Sequence, residues 1–358
     1  MLDHYLHTAH AAARLLEPAR DSLSLPPPQP GVHPERLAEH ERTLAWFTAE
    51  HAVLLAAVGQ AAATGFDTHT WQLAQTLATY LDRRGHWYDL AAVGSTALGA
   101  AARLADPLGE PVAHSIVARA YRRHGNYDDA HSHLRHALDL FGRTGNLPGQ
   151  ADTYIELARL KEWQGPHAVP EILMLARQAH ALYQSAGHRL GQAQTLTAIG
   201  WSHARLGNYT QALNCSRQAL PLLEEFDDRE RQAHAWDSIA YAHHHLGQNS
   251  QAVTCYRHAL DLCRDLGDRL LEADILNRLG DAHHATSDPN AAHDAWQHAL
   301  DILTELDHPH ADQIRVKLTA LNTARETDSR ESGARLFNEN HHQQAQPTSF
   351  SRADTFGS

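Results

Sequence analysis

The sequence predicts an all-α fold made of about six consecutive helical hairpins, each about 40 residues long. Three stretches that begin at residues 198, 238 and 278 align with one another without gaps at this period. Further copies begin at residues 77, 117 and 157, and the last of them carries a two-residue insertion. Such self-similarity is typical of a solenoid, in which each unit buries its apolar face only against its neighbours.

Each predicted hairpin has the same plan of small residues and a turn. The first helix carries a small residue where the two helices must approach closely, at Ala78, Ala118, Ala158, Gly200, Ala240 and Gly280. The turn follows seven residues later, at Gly85, Gly125, Gly165, Gly207, Gly247 and Ser287. Glycine at a turn suits a helix that ends in the left-handed conformation. The second helix repeats alanines seven residues apart, among them Ala212 with Ala219 and Ala252 with Ala259.

This plan resembles the tetratricopeptide repeat (TPR), whose hairpins stack into a right-handed superhelix, or α-solenoid. The resemblance covers residues 70–306 and departs from the family pattern in two ways. The unit is 40 residues rather than the common 34, and the proline that usually closes the second helix is absent.

The segments around the array predict a simple domain order. Proline-rich sequence cannot be helical, and a terminal stretch without periodicity is typical of disorder. The predicted order is a helix in 1–24, a Pro-rich linker in 25–34, an N-terminal helical pair in 35–69, the TPR array in 70–306, a capping helix in 307–322 and a disordered tail in 323–358.

Composition excludes several classes of protein. The formal charge of −12 argues against direct binding of nucleic acid, which needs a basic surface. The longest apolar run, residues 52–63, is too short to span a bilayer, so we expect no membrane partner. Three cysteines without a CxxC pair favour a reduced, cytoplasmic setting.

No familiar catalytic or phosphate-binding motif occurs in the sequence. There is no P-loop, no GxGxxG, no HExxH and no GxSxG. An all-helical repeat also lacks the strand-to-helix turn on which nucleotide phosphates usually lie. We therefore expect no enzymatic activity and no cofactor.

The 30 histidines raise the question of a metal site, most visibly at His243, His244 and His245. Metal ligands on one helix must lie three or four residues apart. No good zinc ligand lies four residues before or after any of these three histidines. His203, His243 and His283 instead occupy one slot of successive repeats. This predicts a half-buried column that hydrogen-bonds the next helix, and no metal site.

The first helices of TPR hairpins line a concave groove, and the resemblance implies which positions contact a ligand. The ligand-contacting positions in the N-terminal half of the array are basic. This favours an acidic peptide, a terminal carboxylate or a phosphorylated segment as the ligand. An alternative of equal weight is that these arginines are solvated or pair with Asp82 and Glu162. The candidate groove residues are Arg83, Arg119, Arg122, Arg123, Arg159, Arg205, Tyr241, His244, His245, Asn277 and His284.

The N-terminal half of the chain carries a second resemblance. The motifs "LAWFTAEH" at 44–51 and "LDRRGHWYDL" at 81–90 are similar to the region that joins an NB-ARC ATPase to the TPR array in actinobacterial AfsR/SARP-type regulators. The resemblance implies a TPR sensor that is part of, or partner to, a transcriptional regulator of specialised metabolism. Its first helix would then be the end of an NB-ARC/winged-helix region that is missing here.

Two functions remain open at this point. The first is a non-catalytic module that binds a peptide or protein segment in the groove, with self-association as a further possibility. The second is a sensor for a small ligand or a signalling peptide, in which binding changes the curvature of the solenoid.

Overall fold

A computed structural model describes residues 1–16, 23–37, 39–164, 166–306, 308–323 and 325. All regular elements in these ranges are helices, so the all-α prediction is confirmed. A short 3₁₀ helix at Pro166–Ala168 precedes α8. The α-helices are α1 Leu2–Leu16, α2 His40–Ala63, α3 Asp67–Arg83, α4 Trp87–Leu104, α5 Gly109–Arg123, α6 Tyr127–Arg143, α7 Leu147–Gln164, α8 Val169–Ser185, α9 Arg189–Arg205, α10 Tyr209–Glu225, α11 Arg229–His245, α12 Asn249–Leu266, α13 Arg269–Ala285, α14 Pro289–Glu305 and α15 311–323.

The chain divides into two compact units, residues 1–266 and 267–358. In the first unit, α3 to α12 pack as five consecutive antiparallel hairpins, and α1 packs against α2 and α3. In the second unit, α13 and α14 form a sixth hairpin. We call the first helix of each hairpin its A helix and the second its B helix. No helix in the described ranges combines the length and apolar character needed to cross a membrane.

A residue with positive φ ends almost every helix and sets the period of the repeat. In the first unit these residues include Gly207 (φ 78°), Asp227 (φ 51°) and Gly247 (φ 75°), spaced by 20. The helices α9, α10 and α11 each contain 17 residues, so a helix and its connection occupy 20. Two such steps give the predicted 40-residue unit. The predicted turn at Gly165 lies outside the described residues.

The small residues lie where helices touch, as predicted. Ala118 and Ala240 are 2 % and 0 % exposed, and Ala212 and Ala219 are fully buried. A methyl group added at Gly200 would lie 2.6 Å from the Ser216 hydroxyl on the paired helix. The helices of one hairpin therefore approach too closely for a larger side chain at these positions.

Residues 35–69 contain one long helix and not the predicted helical pair. The Pro-rich segment is non-helical and runs beside α1, where the Gln29 amide donates to Asp3 Oδ2 at 2.6 Å. The Glu35 amide donates to the Thr8 hydroxyl at 3.0 Å. A single long helix, α2, then follows, because His40–Ala63 contains no proline and only one glycine.

The buried faces of α2 and α3 form the N-terminal core. Phe47 and Leu54 are at most 1 % exposed, and the Phe47 ring stacks on Tyr80 at a centroid distance of 4.7 Å. Leu73 and Leu77 of α3 complete this core. The aromatic side chains of α2 thereby fix it against the first hairpin.

In the second unit, α15 packs through three apolar side chains. Ile314, Leu318 and Leu321 are buried, whereas Val316 is 69 % exposed. The predicted disordered tail lies outside the described residues from residue 326 onward.

The repeat turns give a first testable prediction. Gly207→Ala places a Cβ in the left-handed conformation and should lower the free energy of unfolding by about 1 kcal/mol, although no atom lies within 4 Å of that Cβ. Gly59→Ala, within helix α2 and equally free of contacts, should raise it by about 0.5–1 kcal/mol. Chemical denaturation of both variants measures these changes. Equal changes in the free energy of unfolding would contradict the explanation that the left-handed conformation at Gly207 requires glycine.

Candidate functional site

The A helices α3, α5, α7 and α9 of the first unit carry the candidate arginines, and α11 carries Tyr241, His244 and His245. We call the surface that these five helices share the groove. Neighbouring A helices pack side by side, as in α3 with α5, α5 with α7 and α9 with α11. Arg83 on α3 lies 3.3 Å from a carboxylate oxygen of Glu230 on α11. An ion pair between the first and fifth A helices indicates that the surface curves inward.

Three of the candidate arginines converge on one glutamate, Glu156 of α7. Arg159 Nη1 donates to Glu156 Oε1 at 2.9 Å, and Arg119 Nη2 lies 3.6 Å from the same oxygen. Arg122 Nη2 lies 4.0 Å from the other carboxylate oxygen. Burial by itself raises the pKa of Glu156, but Arg159, Arg119 and Arg122 outweigh it and lower the pKa to about 2. The glutamate therefore stays ionised, and the cluster of four side chains carries a formal charge of +2.

Arg122 is the most unusual member of this cluster. It is only 5 % exposed, and its Nε has no hydrogen-bond partner among the described residues. Burial lowers the pKa of its guanidinium, and Glu156 opposes that shift. A buried cation whose donors are incompletely satisfied is costly for the fold, and such groups often mark functional sites.

Arg123 belongs to a structural pair instead. Its Nε and Nη2 donate to the two carboxylate oxygens of Asp82 at 2.7 and 3.1 Å. Its guanidinium also lies 5.9 Å from the centre of the Trp87 ring. The alternative interpretation of the sequence, in which the arginines pair with Asp82, therefore describes Arg123 well.

Arg205 and Glu162 extend the charged part of the groove toward α9. Glu162 is exposed, yet desolvation raises the pKa of its carboxyl group, with Arg159, Arg205, His234 and Arg122 opposing that change. A side chain that reaches solvent and is still desolvated lies in a recess of the surface. Its neighbours come from α5, α7, α9 and α11.

Aromatic rings continue the groove on α9 to α11. The Tyr241 ring lies 5.5 Å from Trp201 and stacks on His245 at 4.1 Å. His245 also stacks on Tyr209 at 5.1 Å. His244 Nδ1 lies 2.9 Å from the Asn249 side-chain oxygen. The structure therefore brings together Tyr241, His244 and His245 with two rings that the sequence did not single out.

His203 and His243 are buried structural side chains rather than groove ligands. His243 Nδ1 donates to Gln248 Oε1 at 2.5 Å, and His243 Nε2 accepts from Arg217 at 3.4 Å. His203 Nε2 likewise accepts from Arg177 at 3.1 Å. Gln248 lies in the turn before α12 and not on the next helix, where the partner was predicted. The arginine on the preceding B helix was not predicted.

Asn277 and His284 belong to the second unit, where they contact α15 and α14. The Asn277 side-chain oxygen accepts from Lys317 Nζ of α15 at 2.7 Å. The His284 ring lies 5.6 Å from Trp296 on α14. Asn277 thus helps to hold α15 in place.

Glu156, Trp201 and Tyr209 are the groove residues that the sequence analysis missed. Glu156 lies three residues before Arg159, a spacing at which helical side chains meet, so this ion pair was visible in the sequence. The convergence of Arg119 and Arg122 depends on the packing of α5 against α7. No pattern within a single helix predicts this convergence on Glu156.

The two-helix units define the chain as a helical-repeat protein, and family models identify the repeat. Tetratricopeptide-repeat models match residues 116–144, 150–225 and 231–305. The chain therefore carries tetratricopeptide repeats over these residues, and its fold is a TPR α-solenoid. A search of curated proteins gives no significant match.

Solved structures with similar folds include several TPR proteins. Aspartyl phosphate phosphatase F from Bacillus subtilis has a TM-score of 0.57 at 14 % identity and covers 88 % of this chain and 84 % of its own. A Rap protein complexed with Competence and Sporulation Factor has a TM-score of 0.51 at 14 % identity, covering 72 % and 76 %. A STAND-class signal-transduction ATPase with a TPR sensor from Pyrococcus horikoshii has a TM-score of 0.58 at 14 % identity, covering 79 % of this chain but 44 % of its own. These similarities establish the fold alone.

The shared glutamate gives a second prediction. Glu156→Gln leaves Arg119, Arg122 and Arg159 without their common anion and should lower the free energy of unfolding by about 3 kcal/mol. Glu224→Gln, at an exposed position on α10, should change it by less than about 0.5 kcal/mol. Urea denaturation at pH 7 measures both values. Similar stabilities for the two variants would show that Glu156 does not balance the arginines.

A third prediction concerns acid stability and rests on His114 of α5. Its Nδ1 lies 2.8 Å from His133 Nδ1, and burial, together with His133 and His136, lowers the pKa of His114 from 6.5 to about 4. As the pH falls, the unfolded chain binds a proton first. The contribution of His114 to stability is therefore full above pH 6.5 and is lost between pH 6.5 and about 4.

His114→Phe removes the titrating group and should reduce the loss of stability between pH 7.5 and 5 by up to about 2 kcal/mol. Denaturation curves at the two pH values give this difference. His131→Gln, an exposed position on α6, is the control and should behave like the parent chain. A pH dependence unchanged by His114→Phe would contradict the assignment.

Proposed function

We propose that the chain is a non-catalytic TPR interaction and sensor module whose groove binds an acidic segment of a peptide or protein. One observation carries this proposal: Arg119, the buried Arg122 and Arg159 converge on the carboxylate of Glu156. Three guanidinium groups thereby gather at one place in a chain whose net charge is −12. An acidic group of a ligand would find several cationic donors there.

The geometry of the cluster suits a carboxylate or a phosphate. Guanidinium groups offer several N–H donors in one plane, and charge-assisted hydrogen bonds to an anion are stronger than neutral ones. Glu156 and the helices hold the arginines in place before any ligand arrives, so little side-chain freedom remains to be lost on binding. The desolvated environment strengthens each ion pair that forms.

The aromatic rings of α9 to α11 supply a second type of contact. Trp201 and Tyr241 are both partly exposed, and each can bury an apolar side chain while its polar atom stays solvated. A ligand that contacts both regions would present an acidic group to α5 and α7 and an apolar or aromatic residue to α9 and α11. This pattern favours a peptide over a simple anion.

We further propose that the module serves a regulator of the AfsR/SARP type in the cytoplasm. The motifs at 44–51 and 81–90 support this link, as does the fold shared with a STAND-class ATPase that has a TPR sensor. The Rap structure complexed with Competence and Sporulation Factor supports a bound partner for a fold of this kind. Co-purification with a winged-helix or NB-ARC protein encoded beside this chain would test the regulatory link.

Binding of acidic peptides to groove variants tests the main proposal. Arg119→Gln with Arg159→Gln should weaken binding of fluorescein-labelled peptides rich in Glu or phosphoserine by at least about tenfold, because two charge-assisted contacts are lost. Fluorescence anisotropy at low and high salt measures the affinity. Binding by the parent chain should also weaken as salt rises.

Arg135→Gln is the matched control, since Arg135 is exposed on the B helix α6. It removes one positive charge outside the groove and should leave the affinity within about twofold of the parent chain, as expected for a distant surface charge. A control variant that loses as much affinity as the groove variant would reject the groove as the binding surface.

The Arg83–Glu230 pair favours the second candidate function, a sensor for a small ligand or signalling peptide that changes curvature. Arg83 Nη1 also donates to the Leu16 carbonyl at 3.4 Å, so one side chain touches α1 and α11. A ligand that displaces Glu230 would release α11 from α3. A thermal-shift screen of small anions without any protein partner distinguishes this candidate, because a bound ligand stabilises the native state directly.

A further inference from the structure

Three potential metal ligands meet beside the first hairpin, at some distance in sequence from the histidine run. They are His51 of α2, His86 in the turn between α3 and α4, and Asp89 in the first turn of α4. One ligand atom from each residue lies within 4.8 Å of the others. His51 Nε2 is already 3.0 Å from Asp89 Oδ2, and the two imidazole rings have centroids 4.4 Å apart.

The packing around these side chains limits their movement. The Tyr80 ring lies 5.9 Å from both imidazoles and is itself stacked on the buried Phe47. Helix α2 packs directly on α3 and α4, so the three ligands stand on mutually fixed elements. His51 Nδ1 is buried and has no hydrogen-bond partner among the described residues. The other ring nitrogen of His51, Nε2, lies beside Asp89 and is the candidate metal ligand.

We propose that His51, His86 and Asp89 bind one Zn²⁺ ion, which holds α2 against the first hairpin. Zinc bound by imidazole nitrogen and carboxylate oxygen has bonds of roughly 2.0–2.2 Å, which places tetrahedral ligand atoms roughly 3.3 Å apart. The ligand atoms, which lie within 4.8 Å of one another, would have to move closer together to reach that value. Two imidazoles and one carboxylate suit zinc better than Mg²⁺ or Ca²⁺, which prefer oxygen ligands. Water would fill the fourth position.

The ligand spacing explains why the sequence does not predict this metal site. His86 and Asp89 are three residues apart and can bind together, but His51 is 35 residues earlier on another helix. Histidines adjacent in sequence, such as His243 to His245, diverge around their helix. The site depends on tertiary packing.

Competitive titration of the full chain with Zn²⁺ tests the site. Metal-free protein and a chromophoric zinc chelator are mixed, and Zn²⁺ is added stepwise. We expect one ion per chain in the tightest class of sites, with an affinity that falls at least about 10–100-fold in His86→Ala and in Asp89→Asn, the loss that changes around a zinc site usually cause. Zn²⁺ should also raise the thermal midpoint of the parent chain but not that of either variant.

His131→Ala controls for the many surface histidines, since His131 is exposed on α6. It should keep the tight site. The circular dichroism of each variant without metal checks that it is folded. A tight site that persists in both His86→Ala and Asp89→Asn, or its absence from the parent chain, would overturn the proposal. Mg²⁺ in place of Zn²⁺ should give no thermal shift.

Discussion

The left-handed residue that ends almost every described helix sets the period of the repeat, and the rest of the structure depends on this constraint. Because a 17-residue helix and its connection occupy 20 residues, equivalent side chains recur every 40 residues on the same face. Arg189 pairs with Glu225, and Arg229 pairs with Asp265, one repeat further on. Non-glycine residues such as Asp227 adopt the same conformation, so the packing of the hairpins outweighs the local cost at that position.

The same periodicity places charge on the groove, but tertiary packing decides what the charge can do. Arg123 is neutralised by Asp82 on the preceding A helix, whereas Arg119, Arg122 and Arg159 must share Glu156. Removal of Arg122 from water strengthens its attraction to Glu156 and to any further anion. Packing between the A helices thus decides which carboxylate each arginine meets.

The repeat, the turns and the buried small residues were predictable because each is a local pattern that recurs. At Ala240 and Gly200, a single small residue marks the place where two helices touch. The helical pair expected in 35–69 was wrong because alanine-rich sequence gives no internal stop within α2. The shared Glu156 and the cluster at His51 were not predictable, since both join helices that are distant in sequence.

The turn between α3 and α4 connects the proposed metal site to the groove. The last turn of α3 carries Asp82, which holds Arg123, and Arg83, which reaches Glu230. Trp87 donates from its indole nitrogen to the Asp82 carbonyl at 3.3 Å, next to His86 in the chain. An ion that fixes His86 therefore restrains the same turn that positions two groove arginines.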